Sequence, residues 1–198
     1  MNKVFLFDLG NVLAKPLDNH ELYNKLNCEI TYEQFEKYWF ENDLVIKAHE
    51  GLISDKVHID ALLKYCKSNL SIDDFYKVYN NLDNSLYSDT IKIIKKLKNK
   101  HYKIGLLSNL RLMDFNRYKE QLEKLNFDYM FLSYKMKCIK PNDEIYEKVI
   151  NTIRIKPQNI ILFDDNKKNV QGALKTGIMA YLVTGYTIKE FTKNNFEI

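Results

Sequence analysis

The chain has 198 residues, 45% of them hydrophobic, and a net charge of +4. That length can bury a core for one domain with a sizeable insertion, and the composition excludes a disordered chain. No apolar run is long enough to span a bilayer, and only three of the thirty basic residues are arginines (Arg111, Arg117, Arg154), which argues against an arginine-led nucleic-acid reader.

The amino-terminal residues pass almost at once into Val4-Phe5-Leu6-Phe7, so no cleavable secretory leader is expected. This near-continuous apolar run reads as a strand buried on both faces, central in a parallel sheet, and it ends on Asp8. Open α/β sheets build their sites at such carboxyl ends. Gly10 then allows a sharp turn. Alone, Asp8 is equally well read as a turn cap.

Residues 18–86 carry helical periodicity and no convincing buried strand. Thr31 with Gln34 forms a capping box before Phe35, Tyr38 and Trp39 on one face. Ser54 is placed to cap a helix through Val57, Ile59, Leu62 and Cys66. Ser71, with Asp74 three residues on, starts another through Phe75, Val78 and Leu82. The pattern describes a helical unit over 17–86 interrupting an α/β domain over 1–16 and 87–198. For Tyr32, Tyr38, Trp39 and Phe40, packing within this unit is favoured over lining a site.

Strands and helices alternate thereafter. A helix over 89–98 buries Ile91, Ile94 and Leu97 and leaves its lysines as a solvated face. A strand over 103–107 ends at Ser108-Asn109. Phe115, Tyr118, Leu122 and Leu125 make a helical stripe, and a strand covers 129–133. Asp143 is expected to cap a helix through Ile145, Val149 and Ile153, ended with the help of Pro157. A strand over 159–163 ends at Asp164-Asp165. A helix over 169–176 follows, with Gly177 at its C′ position, and 180–183 is a last strand. Five strands separated by helices predict a doubly wound, Rossmann-like parallel sheet. The three cysteines (Cys28, Cys66, Cys138) are odd in number and lack metal-ligand spacing, so no disulfide framework or zinc site is expected and a reducing cytoplasm is.

Three strands thus end in polar groups: Asp8, Ser108-Asn109 and Asp164-Asp165. Lys140-Pro141 lies in the loop before a helix. Each is unremarkable singly; in one order, at strand ends pointing the same way, they converge. Phe7-Asp8-Leu9-Gly10-Asn11-Val12, Leu107-Ser108-Asn109, Lys140-Pro141 and Phe163-Asp164-Asp165 through Asn169-Val170 resemble the four motifs of the haloacid dehalogenase superfamily, over residues 5–183. The helical unit resembles the cap domain of such enzymes. Gly51-Leu52-Ile53-Ser54 resembles the turn between cap helices in the subgroup of glucose-1-phosphatase-type sugar phosphatases.

The resemblance implies a magnesium-dependent phosphatase acting on a small phosphorylated metabolite. Asp8 would be the nucleophile forming an aspartyl-phosphate. Asp8, the Gly10 carbonyl and Asp165 would hold Mg²⁺, with Asp164 a further ligand or its support. Ser108 and the Asn109 N–H would hold phosphate oxygens, and Lys140 would balance charge. The family's usual second aspartate, two residues after the nucleophile, is here Gly10. Either the substrate has a good leaving group, such as an anomeric sugar phosphate, or the cap supplies an acid, for which His49, Glu50 and His20 are the candidates. A carbon–halogen hydrolase and a non-catalytic phospho-ligand or partner-binding protein are the alternatives. No nucleic-acid or membrane partner is expected, and the chain is expected to be a monomer or a weak homodimer.

Overall fold

The computed structural model describes residues 3–196. Strand β1 (Val4–Phe7) lies in the middle of a five-stranded sheet whose order is β3-β2-β1-β4-β5, with β2 at Lys103–Ser108, β3 at Tyr129–Leu132, β4 at Ile160–Asp164 and β5 at Met179–Leu182. All four pairings are parallel. The expected doubly wound sheet is present, and no described helix is long and apolar enough to cross a membrane.

Alternation along β1 explains why it reads as continuously apolar. Phe5 and Phe7 face a core built with Ile93, Ile94 and Leu97 of α6 (Ser88–Asn99), with Leu122 and Leu125 of α7 (Leu112–Leu125), and with Ile188 of the carboxy-terminal helix Ile188–Phe196. Val4 and Leu6 face the opposite core, where helix Asp143–Ile153 supplies Tyr146 and Val149, and helix Lys167–Lys175 supplies Val170 and Ala173. Side chains of successive strand residues point to opposite faces, so a strand covered on both sides has no polar face.

Between β1 and α6 the chain runs through five helices: α1 (Asn19–Lys25), α2 (Tyr32–Glu41), α3 (Asp43–His49), α4 (Asp55–Cys66) and α5 (Ile72–Asn80). The caps at Thr31 with Gln34, at Ser54 and at Ser71 form as their spacing predicts. These helices enclose their own core, which includes Leu22, Phe35, Ile59, Leu62 and Phe75. The two crossings into and out of them lie side by side: Ala14 bridges Leu86, Lys15 N–H donates to the Ser85 carbonyl and Tyr87 N–H to that of Leu13.

Some boundaries move by a residue or two, as helix ends commonly do. Asn142, not Asp143, takes the extended conformation of an N-cap, leaving Asp143 in the first turn, where a negative charge suits the helix dipole. Asn166 caps helix Lys167–Lys175, which places Asn169 inside it rather than at its start. Gly177 is left-handed after that helix, as its C′ position requires. The short helix Ser133–Met136 and the carboxy-terminal helix Ile188–Phe196 have no counterpart in the sequence reading.

Candidate active site

The carboxyl ends of β1, β2 and β4 meet around one buried ammonium. Lys140 is 2% exposed; its Nζ lies 3.0 Å from Asp8 Oδ1 and 2.5 Å from Asp164 Oδ2, and donates to the Leu107 carbonyl at 2.9 Å. The lysine comes from a loop, and Asn109 fixes that loop. Its side chain accepts from Lys140 N–H and donates to Lys140 C=O, both at 2.8 Å. Ser108, also buried, hydrogen-bonds the Asp8 carboxylate. Asp8 itself is tied to the sheet by its N–H, which donates to the Phe163 carbonyl.

The two adjacent acids differ sharply. Asp164 is fully buried; besides Lys140 it accepts from Asn166 N–H and from the Asn169 side chain. Asp165 is half-buried and accepts the Asn11 amide at 3.0 Å. Asn11 sits in the left-handed region with φ 54°, where asparagine is tolerated better than most residues. Its own amide oxygen takes the Tyr87 hydroxyl.

Asp8, Asp164 and Asp165 each present a carboxylate oxygen within 4.8 Å of the others. Three carboxylates against one ammonium leave two negative charges in excess, the charge that a divalent cation neutralises. The titration behaviour has the same cause. Burial raises the Asp8 carboxyl to about 6, with Lys140 pulling it down and Asp164 repelling it further up. Burial also raises Asp165, partly offset by Asn11. For Lys140 burial alone would lower the ammonium, but Asp8 and Asp164 outweigh it and hold it charged. Hard oxygen donors in this number suit magnesium. Both Asp164 oxygens are already engaged, whereas Asp8 meets Lys140 and Asp165 meets Asn11 through one oxygen each.

Above these groups opens a cavity of about 250 Å³ between the sheet and the helical unit; its lining includes Asp8, Gly10, Ser108 and Lys140 from below, Trp39, Phe40 and Tyr79 from above, and Arg111, Asp114 and Arg117 at the side. Trp39 therefore does both things the sequence left open, packing its own helices and facing the site, and Phe40 lines the site while staying exposed. Tyr32 and Tyr38 belong to the helical unit's packing.

The expected cap-borne acids are not brought to the cavity. His20 is exposed and stacks on Tyr32. His49 turns Nδ1 to the Val45 carbonyl of its own helix, and burial with Arg111 nearby lowers its pKa to about 4. Glu50 closes the same helix as its C-cap. None of the three lines the cavity. At Gly10 an added Cβ would meet no heavy atom within 4 Å, so room for a side chain exists where the family usually has its second aspartate.

Sequence reasoning missed a second buried polar cluster beside the cavity. Arg111 grips Asp114 through Nε and one terminal nitrogen, both at 2.9 Å, and reaches His58 of α4 and Tyr79 of α5. The three-residue spacing of Arg111 and Asp114 at a helix start was the only local signal. It also missed Asn11 and Asn169 as supports of the acidic pair.

Comparison with known proteins places this geometry. A model of haloacid dehalogenase-like hydrolases matches residues 6–183. Over 191 residues the chain is 23% identical to a phosphorylated carbohydrates phosphatase of Thermotoga maritima, covering 87% of this chain and 81% of that one. Among solved structures, a HAD family enzyme of Bacteroides thetaiotaomicron superposes with TM-score 0.80 at 25% identity, covering 93% of this chain and 94% of that one. The wild-type form of that enzyme was also solved with magnesium and inorganic phosphate (TM-score 0.79, 24% identity, 93% and 96% covered). An HAD-like family hydrolase from Porphyromonas gingivalis superposes over 100% of both chains with TM-score 0.81 at 23% identity.

Proposed function

The chain belongs to the haloacid dehalogenase-like hydrolases, and we propose that it is a magnesium-dependent phosphatase of a small phosphorylated metabolite whose leaving group departs readily, such as an anomeric sugar phosphate. The observation that carries this reading is Lys140 bridging Asp8 and Asp164 beside an acidic cluster two positive charges short. A halide-displacing site needs no such cluster.

In this reading Asp8 attacks phosphorus and becomes an aspartyl-phosphate, which water then hydrolyses. Asp8, the Gly10 carbonyl and Asp165 would hold Mg²⁺, and Asp164 would support them by fixing Lys140. When bound, the ion neutralises charge on the phosphoryl oxygens. Ser108 and the Asn109 N–H bind those oxygens, while Lys140 keeps Asp8 ionised and adds positive charge where negative charge develops. The helical unit over 17–86 acts as the cap, closing the cavity with Trp39, Phe40 and Tyr79 and excluding water.

The proton supply is what narrows the substrate. Among the described residues lining the cavity, the only carboxylates are Asp8 and Asp114, and no histidine lines it. Asp114 is saturated by Arg111 and Tyr79. Burial would raise its carboxyl, but Arg111 outweighs that and holds it well below the usual range, so it carries no proton to give. A leaving group that needs no protonation suits such a site. The test is phosphate release from a panel of phosphorylated metabolites with magnesium and with a chelator. Release that requires magnesium and is fastest for anomeric and acyl phosphates supports the reading; chloride release from a haloacid in the presence of chelator overturns it.

Gly10 also favours a second reading, a protein that binds magnesium and a phospho-ligand without turnover. Failure to trap beryllium fluoride on Asp8, together with no turnover of any phosphoester, would establish it.

A further inference from the structure

The cavity's upper wall comes from the helical unit, and one side chain of the α/β domain reaches three of that unit's helices at once. Arg111, 3% exposed, stands three residues after Ser108 and two after Asn109, at the start of α7. Its guanidinium lies 4.4 Å from the ring centre of Trp39 on α2. One terminal nitrogen is 3.0 Å from His58 Nε2 on α4; an arginine is always the donor, so His58 accepts there and carries its own proton on Nδ1. The other terminal nitrogen reaches the Tyr79 hydroxyl on α5 at 3.4 Å, and Tyr79 donates to Asp114 Oδ1 at 2.5 Å. One fork thus engages three helices of the helical unit while anchored to Asp114 of its own helix. Two of the groups it holds, Trp39 and Tyr79, line the same cavity as Asp8.

We propose that Arg111 is a positioning residue: through Trp39 and Tyr79 it fixes the wall that meets the substrate's leaving group at a set height over Asp8, while making no contact with the phosphoryl group itself. The helical unit's apolar core is built from its own helices with Met113 of α7 joining it, and Arg117 adds a second guanidinium against Tyr79; what Arg111 adds is a polar tie from that core to Asp114 beside the site. A planar guanidinium spreads its donors over three nitrogens and stacks on an aromatic face, so it reaches partners on separate helices that the compact ammonium of a lysine cannot span.

Trp39 is the only tryptophan in the chain, which makes the proposal directly observable. The full-length protein is compared with Arg111→Met, with Arg111→Lys, and with the double variant Arg111→Met/Asp114→Leu. The last removes both charges, so no buried charge is left unpaired to unfold the protein. Acrylamide quenching of Trp39 fluorescence is expected to increase at least about threefold in each variant that keeps a native far-UV spectrum, as the wall opens locally without global unfolding. In the kinetic arm, which rests on the phosphatase reading, KM rises about tenfold while the inhibition constant of inorganic phosphate stays within about twofold, because phosphate touches only the lower groups. Loss of fold alone would lower kcat through the active fraction and leave KM where it was. Unchanged quenching in a natively folded double variant overturns the proposal whether or not any substrate has been found. So does a parallel rise of KM and of the phosphate constant, which would put the defect at the phosphoryl site.

Discussion

The ammonium of Lys140 lies 3.0 Å from the Asp8 carboxylate, although the two stand on a loop and a strand end far apart in sequence. Their meeting depends on Asn109, whose side chain clasps the Lys140 backbone from both sides. An asparagine expected to act through its N–H therefore also acts as a splint for the lysine. Removing either partner of a buried pair leaves the other charge uncompensated, and that cost exceeds what the pair contributes while intact.

Lys140→Met is expected to destabilise the fold by about 3–5 kcal/mol and to remove most turnover. Urea denaturation followed by phosphate release by the folded fraction measures both. Because Asp8 and Asp164 then repel one another without a cation between them, magnesium is expected to restore more stability to this variant than it adds to wild type. Equal stability of variant and wild type in the absence of metal would contradict the role given to the lysine.

Asn11→Gly keeps the left-handed backbone accessible but removes the side-chain amide that Asp165 accepts. Partners that orient a metal-binding carboxylate typically matter by about 10–100-fold in affinity. Magnesium titration of activity, or calorimetry, is expected to show a loss of that size, with little change at saturating magnesium. An unaltered metal affinity would place Asp165 outside the magnesium shell.

Gly10→Asp puts a carboxyl into open space at the position where the family's phosphatases usually carry their acid. General acid–base help is worth about 10²–10⁴-fold, and the gain is expected to be largest for substrates with poor leaving groups. The ratio of rates for alkyl and anomeric phosphates is the quantity to measure. A variant that accelerates both equally, or neither, would show that proton supply does not limit the wild-type reaction.

The second polar cluster sets the response to acid. His58 is fully buried, and burial together with Arg111 pushes its pKa down to about 3, against about 6.5 when unfolded. Between those values the unfolded chain binds a proton that the native state refuses, so stability rises with pH and is lost as pH falls through this window, at about 1.4 kcal/mol per pH unit from this residue. His49 and Asp114, both shifted down, act in the same direction. His58→Gln retains an acceptor for Arg111 and is expected to flatten the dependence. Urea midpoints at pH 7 and pH 5 that fall in parallel for variant and wild type would contradict this.

Much of this was legible in the chain before any coordinates. Val4-Phe5-Leu6-Phe7 announced a strand covered on both faces, and the helix caps at Thr31, Ser54 and Ser71 were readable because capping is decided within four residues. Asp8, Ser108 and Asp164 could be grouped because strand ends of a parallel sheet share one side, and Lys140, on a loop, joined them through the family resemblance. The contacts that lie between units were not legible. Nothing near Arg111 in sequence points to His58 or Tyr79, since those partners are brought by a separate helical core. The candidate acids His20, His49 and Glu50 were chosen by residue type alone, and the helix faces that turn them from the cavity depend on packing. The division of labour between Asp164 and Asp165 was hidden for the same reason: adjacent residues leave a strand end in opposite directions, and only one faces the buried lysine.

The central claim is that Asp8 forms a covalent bond to phosphorus. Acid quenching during turnover of a reactive phosphoester with magnesium, followed by peptide mass spectrometry, tests it directly. The account predicts one phosphoryl group on the peptide containing Asp8, absent from Asp8→Asn, which keeps its fold and loses turnover. Steady turnover with no adduct on Asp8, or turnover by Asp8→Asn at the wild-type rate, would contradict it.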